Sequence, residues 1–518
     1  MMRHLLSARR SIAWVLAAAL VAALFIFRDF GLTWDEPLFY KYADALGYAY
    51  TPSNWLGGQF DLSQSYGPSA DDHKTRGPGY LLLARLPAHI LQGLGLDTGS
   101  AWHLVNFVTF LLGIYFVFQL GRWLTGETGA LLGATLFASQ PLLWGHAFIN
   151  PKDMPFLVLF SGTIWLGVRM VDGYPEAKAP PWHLRASQLL LPALFLGLAT
   201  SNRVLGPLGG MLIAAYWLIR RPSWSTFGWV TLYGALASVV AIATWPYLWE
   251  GPQRFAEVFR FMASNPTVLP VLFAGSVYRA NELPLRYLPF YLVATLTEPV
   301  WPLFAMGLGA SLLRTRALLE RWPRLGLLVA WLMIPIAYAL VARPPLYDGM
   351  RHFLFVLPPL FIIGGAGIEE LLQRISRHWP RYVLSALIMA PGLAGIVVLH
   401  PFEYAYFNSF VGGTGGVFRQ YETEYWLSCY KESVEHFNSA ALGPARLFVH
   451  REAGVAAPYA APNVTVLDER NAKDTIRSGD FVLVSTRTNE DLRVLPDSAD
   501  FLTVGRAGAT FCVIKGVP

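Results

Sequence analysis

Apolar runs close to twenty residues long recur from the start of this chain to residue 399, and no other feature restricts its fold so strongly. A run of that length crosses the ~30 Å hydrocarbon core of a bilayer as a helix, since lipid offers backbone polar groups no partner. Of the 518 residues, 54% are hydrophobic and only 14% charged, which is too apolar for a soluble chain of this size. Spans are expected near residues 11–27, 101–120, 129–148, 154–171, 187–201, 206–219, 226–245, 286–313, 325–342, 352–371 and 382–399. The expected fold is a polytopic α-helical membrane protein of about eleven spans. The net charge of +6 is scattered over the connecting loops, so it reads as topology bias and excludes a nucleic-acid surface.

Arg3, Arg9 and Arg10 precede the first run, which closes on Leu24, Phe25, Ile26 and Phe27. A signal-peptidase site needs small residues there, so the segment is expected to remain as an anchor with the N-terminus in the cytoplasm. Residues 28–100 then form a first outer loop. Within it, residues 80–96 are apolar but carry Arg85, Pro87, His89 and Gln92. If that segment lies at the interface without crossing, basic residues are about twice as frequent inside as outside; if it crosses, the excess is reversed. The positive-inside rule favours the interfacial placement.

After residue 399 the pattern changes. A helix is expected over 428–442 and strands over 447–450, 464–467, 481–485, 501–504 and 510–514, giving a small extracytoplasmic α/β domain over 400–518 behind a membrane domain over 1–399. The two cysteines, Cys429 and Cys512, are too few for a disulfide scaffold, and the sequence leaves open whether they pair.

This topology collects chemistry on the outer face. GLTWDEP, immediately after the first span, supplies Asp35 and Glu36; later outer segments bring His73 and Arg76, His146, Lys152 and Asp153, Arg203, and Asp348, Arg351 and His352. Adjacent acids before Pro37 also suit a plain helix start. Carboxylates beside cations at a membrane surface suit proton transfer and the binding of a phosphate. Asp35 is the base candidate, with Glu36 and Asp153 as further acids. Arg351, Arg203, Arg76 and Lys152 are the candidates for the phosphate, arginine being suited by its two-pronged donor geometry. A divalent metal ion is a further expectation, with Glu36, His73, His146 and His352 as candidate ligands, although their spacing fits no compact metal motif.

TWDEP after the first span, RGPGY closing the first loop, NPKDMPF before a span and YDGMRHFLFVLPPL before a late span resemble the GT-C glycosyltransferases, in particular the protein mannosyltransferase and aminoarabinose transferase branch. Residues 400–432 resemble a tail segment of bacterial members. The resemblance implies a polyprenyl-phosphate sugar donor, an extracytoplasmic lipid, glycan or protein acceptor, a place in the bacterial inner membrane, and matches of the acidic motif to Asp35 and Glu36 and of a further acid to Asp153. A lysine common in the family's first loop is replaced here by Thr75 and Arg76. The rival expectation is a lipid-linked glycan flippase, which should carry ionisable groups near span centres; here they gather at the outer ends.

Overall fold

The computed structural model describes residues 2–68, 73–173, 182–264, 268–313, 315–441 and 443–518. Asp71 and Asp72 of the first loop lie outside them, as does Leu442. The described chain is mostly helical. Among the described residues five helices are long and apolar enough to cross a membrane: Thr98–Leu124, Asp153–Asp172, Trp224–Ala243, Trp322–Ala342 and His378–Leu399. Ser11–Ile26, Pro207–Arg220 and Val300–Leu313 are apolar but shorter.

Asp153–Asp172 is the most enclosed of these helices and packs against Thr98–Leu124, Trp182–Asn202, Pro207–Arg220 and the 3-10 turn Arg351–Val356. Where lipid removes the hydrophobic drive for association, close backbone approach must supply it, and small residues permit that. Gly129 and Gly133 bring Glu127–Ala138 against Pro358–Gln373, and Gly307 and Gly367 bring Val300–Leu313 against the same helix; a Cβ at any of these would strike a facing backbone carbonyl or side chain.

Two expected spans are broken. The apolar run 129–148 folds as Glu127–Ala138 and Pro141–Ile149, and 286–313 folds as Tyr287–Ala294 and Val300–Leu313. Pro141 and Pro299 remove ladder donors at the breaks. The freed groups meet each other: Gln140 Nε2 donates to Thr297 Oγ1 at 2.9 Å, and the Thr297 amide donates to Gln140 Oε1 at 3.0 Å. A buried amide side chain thus replaces backbone bonds at two helix ends together. The expected span 352–371 likewise opens with the 3-10 turn and becomes α-helical only from Pro358.

The segment Gly79–Gly93 is a helix of 15 residues. At 1.5 Å per residue it reaches about 22 Å, short of the hydrocarbon thickness. One side, with Tyr80, Leu81, Ala84 and Ala88, is buried, and His89 pairs with Asp44 at 2.7 Å.

The tail holds a five-stranded sheet made of β3 (Ala445–Val449), β4 (Val464–Asp468), β5 (Phe481–Ser485), β6 (Asp500–Arg506) and β7 (Ala509–Gly516), in the order β4-β3-β5-β7-β6. β3 runs parallel to β4 and β5, while β7 is antiparallel to both β5 and β6. The helix Cys429–Ala440 covers it, with Phe437 against Phe481 and Phe501. A separate hairpin, β1 (Pro270–Phe273) and β2 (Ser276–Arg279), has no counterpart in the sequence reading. Ala274 and Gly275 turn it with positive φ, the pairing that two-residue hairpin loops prefer, and the Gly275 amide donates to Gln420 O at 2.9 Å, tying the hairpin to the tail.

Cys429 and Cys512 are joined as a disulfide between the covering helix and β7. The bridge closes a separation of 83 residues, so its loss frees much chain entropy in the unfolded state. Replacing both cysteines by serine is expected to destabilise the tail by about 2–5 kcal/mol, read as an earlier unfolding transition of the sheet in the purified protein.

Candidate active site

The 3-10 turn Arg351–Val356 sets Arg351 ahead of the helix Pro358–Gln373, where its side chain is 7% exposed. Its Nη1 lies 2.8 Å from Asp35 Oδ2 and 3.9 Å from Asp153 Oδ2, and its Nη2 lies 2.9 Å from Asp348 Oδ2. Tyr347 and Trp426 face the guanidinium at 5.2 and 5.1 Å, adding cation–π attraction. One cation is therefore shared among three carboxylates from three separate segments. Of these, Asp35 is the open one: its side chain is 26% exposed, against 2% for Asp153 and none for Asp348.

Asp153 begins its helix and is held from several sides. Arg203, from the turn after Trp182–Asn202, pairs with its Oδ1. Asn150 Nδ2 donates to its Oδ2 at 3.1 Å, while Asn150 Oδ1 accepts from the Asp153 amide at 2.8 Å. Burial holds the Arg203 guanidinium below its ordinary basicity, and the charges of Arg351 and Arg76 push in the same direction. Crowded cations of this kind lower their mutual repulsion by sharing an anion. Lys152 donates through Nζ to Gly77 O, beside Arg76 in the first loop, and lies over the Phe39 ring. Asp35, Asp153, Arg351 and Arg203 thus form one network, with Arg76 electrostatically coupled to it and Lys152 at its edge.

Glu36 belongs elsewhere. It is fully buried, accepting from the Thr33 amide at 2.6 Å and from the Tyr40 hydroxyl, with His103 Nε2 at 2.9 Å. Its neighbour Asp35 turns instead to Arg351. Two consecutive residues entering a helix diverge by about 100°, so one anchors the loop inward while the other meets solvent. The candidate metal ligands do not converge either. His73 lies between Phe39 and Tyr42, His146 meets Asn150, Tyr425 and Trp426, and His352 packs edge-on to Tyr347. Among the described residues no three His, Cys, Asp or Glu side chains come together to hold a metal ion.

Other members escaped the sequence reading as site residues. Asp348 stood only among outer loop residues, and Arg487, Glu422, Tyr425 and Trp426 come from the tail. The signal was available in the unusual density of acids and aromatics in ETEYW, residues 422–426. The Trp34 amide donates to Trp426 O at 3.2 Å, so this tail segment holds the loop that carries Asp35.

A cavity of about 750 Å³ opens between the helices Trp182–Asn202, Pro207–Arg220 and Trp224–Ala243. Its lining is largely apolar, with Leu196, Met211, Tyr233, Ile242 and Trp249, and it reaches Thr200 and Pro207, on either side of the turn that carries Arg203.

Burial pushes the Glu422 carboxyl up to about 8, the Arg487 guanidinium opposing the shift and the Asp348 charge adding to it. The unfolded value is about 4.3, so the folded state binds this proton more tightly, and the resulting stability is lost as pH rises through about 8. Between pH 5 and 9 the Tm of the wild type is expected to fall relative to that of Glu422→Gln, which thermal unfolding across that range checks.

No protein-family model and no curated protein matches the sequence. Solved structures do. The chain is similar to ArnT from Cupriavidus metallidurans bound to undecaprenyl phosphate, with a TM-score of 0.50 and 13% identity over 97% of each chain. It is also similar to the archaeal oligosaccharyltransferase AglB from Archaeoglobus fulgidus in complex with an inhibitory peptide and a dolichol-phosphate, with a TM-score of 0.50 and 11% identity over 92% of this chain and 69% of that one. At such identities the likeness speaks for the fold alone: the chain shares the overall fold of these two proteins.

Proposed function

We propose that this protein is a membrane glycosyltransferase that moves a hexosyl or pentosyl group from a polyprenyl-phosphate donor to an extracytoplasmic lipid, glycan or protein acceptor. The observation that carries this reading is the placement of a partly exposed carboxylate, Asp35, against Arg351 and next to Arg203, with a large apolar cavity beside the Arg203 turn. Arginines match a phosphate, the cavity matches an isoprenoid chain, and the carboxylate can take a proton. ArnT with its undecaprenyl phosphate and AglB with its dolichol-phosphate lend the donor class support.

In the reaction, the acceptor oxygen attacks the anomeric carbon while its proton passes to Asp35. The bond from that carbon to the phosphate oxygen breaks, and its electron pair leaves with the lipid phosphate, whose charge Arg351 and Arg203 receive. Asp35 then returns the proton to water. Binding of the donor phosphate draws Arg351 from Asp35, which frees the carboxylate for the hydroxyl. A single displacement inverts the anomeric configuration. No step needs the candidate metal ligands.

This reading places the N-terminus in the cytoplasm of a bacterial inner membrane, about eleven spans across it, and the tail outside. The Cys429–Cys512 disulfide supports the last point, since such bonds persist in oxidising compartments.

With labelled polyprenyl-phosphate sugar in reconstituted membranes, Asp35→Asn is expected to lower kcat about 10²–10⁴-fold. Unchanged transfer would remove Asp35 as the base, and translocation of label without transfer would point to a flippase. NMR of the product is expected to show the anomeric configuration opposite to the donor's.

A further inference from the structure

The most deeply buried arginine near the site has no part in the reaction above. Arg487 follows β5 in the tail sheet, yet its side chain is wholly enclosed. Its guanidinium sits 2.9 Å from Asp348 Oδ1, 3.8 Å from Glu422 Oε1 and 4.5 Å above the Trp34 ring, and it donates to Tyr425 O at 2.5 Å. The other oxygen of Asp348 holds Arg351. Charges therefore alternate in a line: Arg487, Asp348, Arg351, Asp35.

The backbone around this line is strained. Asp348, Leu427, Thr488 and Asn489 have φ of 57°, 65°, 49° and 58°, in the left-handed region that side chains disfavour, Thr most of all. Strain of this kind persists only where surrounding structure over-determines it, and it collects at functional sites. Here it occurs in the loop before Arg351, at the residue that follows ETEYW, and in the turn after β5 that carries Arg487.

We propose that Arg487, supplied by the C-terminal sheet, is a positioning residue that fixes Asp348 and through it the orientation in which Arg351 meets the donor phosphate. The inference rests on the glycosyl-transfer reading of the same site. With Arg487 in place, the Asp348 charge is divided between two guanidinium groups, and Arg351 keeps Nη1 directed toward Asp35 and the reaction space. Without Arg487 the buried Asp348 is left with Arg351 alone and competes with the phosphate for it.

The test uses the full chain in lipid nanodiscs. Arg487→Gln is expected to raise the donor KM about tenfold, the worth of roughly one charge-assisted bond, while leaving the acceptor KM unchanged. Arg487→Lys, which restores the cation, is expected to recover most of the loss. The double variant Asp348→Asn, Arg487→Gln is expected to be no worse than Asp348→Asn alone, because the second residue acts through the first. Wild-type donor KM in folded Arg487→Gln, a folded Arg487→Lys no better than Arg487→Gln, or losses that multiply in the double variant would overturn the proposal. Binding of undecaprenyl phosphate, followed by its shift of Tm, separates this outcome from failure of the transfer reading. If the wild type transfers no sugar but its lipid-phosphate shift shrinks in both Arg351→Gln and Arg487→Gln, the relay stands without the reaction; a shift lost only in Arg351→Gln overturns it.

Discussion

A single guanidinium, that of Arg351, has three carboxylates within 4 Å, and the end of the molecule where they meet is arranged around dividing that charge. A buried carboxylate stays ionised only among cations and hydrogen-bond donors, and one shared guanidinium supplies few of these, so the two buried acids that meet Arg351 have further partners. Asp153 finds Arg203 and Asn150; Asp348 finds Arg487. Among the described residues Asp35 pairs with no second cation, and it is the most exposed of the three. The neutralising partners of the two buried acids therefore leave the third as the one whose ion pair is easiest to exchange for a ligand.

The same accounting explains why membrane bundle and tail meet so closely. Arg487 enters from the sheet, Trp426 stacks on Arg351 and accepts from the Trp34 amide, and Tyr459 accepts from the Leu32 amide at 2.9 Å. The loop after the first span is held from the bundle by Glu36 and His103, and from the tail by these contacts. Neither part alone provides a complete setting for Asp35.

Much of this was readable in the sequence for a simple physical reason. Counting basic residues on the two sides of the apolar runs put Asp35, Asp153, Arg203 and Arg351 on one face without any knowledge of the packing. The five tail strands were equally plain, because alternation and β-branched content mark them locally. What escaped depends on distance along the chain. Asp348 and Arg487 are 139 residues apart, and nothing near either names the other. The helix breaks at Gln140 and Thr297 escaped because apolar residues continue through them, and only their mutual amide bonds make the interruption tolerable. Glu36 was read beside Asp35 because they are neighbours in sequence, whereas the helix start sends them to different partners.

The cavity between Trp182–Asn202, Pro207–Arg220 and Trp224–Ala243 bears on how this protein can recognise a ligand. An isoprenoid chain that leaves the bilayer for a wall of Leu196, Met211 and Ile242 exchanges one hydrocarbon surrounding for another, and gains little free energy from the move. If the proposed lipid-phosphate donor binds here, discrimination among membrane lipids must then reside in the head group, whose charge the arginines would meet. The relevant concentration is also a mole fraction within one leaflet, where confinement to two dimensions lets a weak head-group contact fill the site.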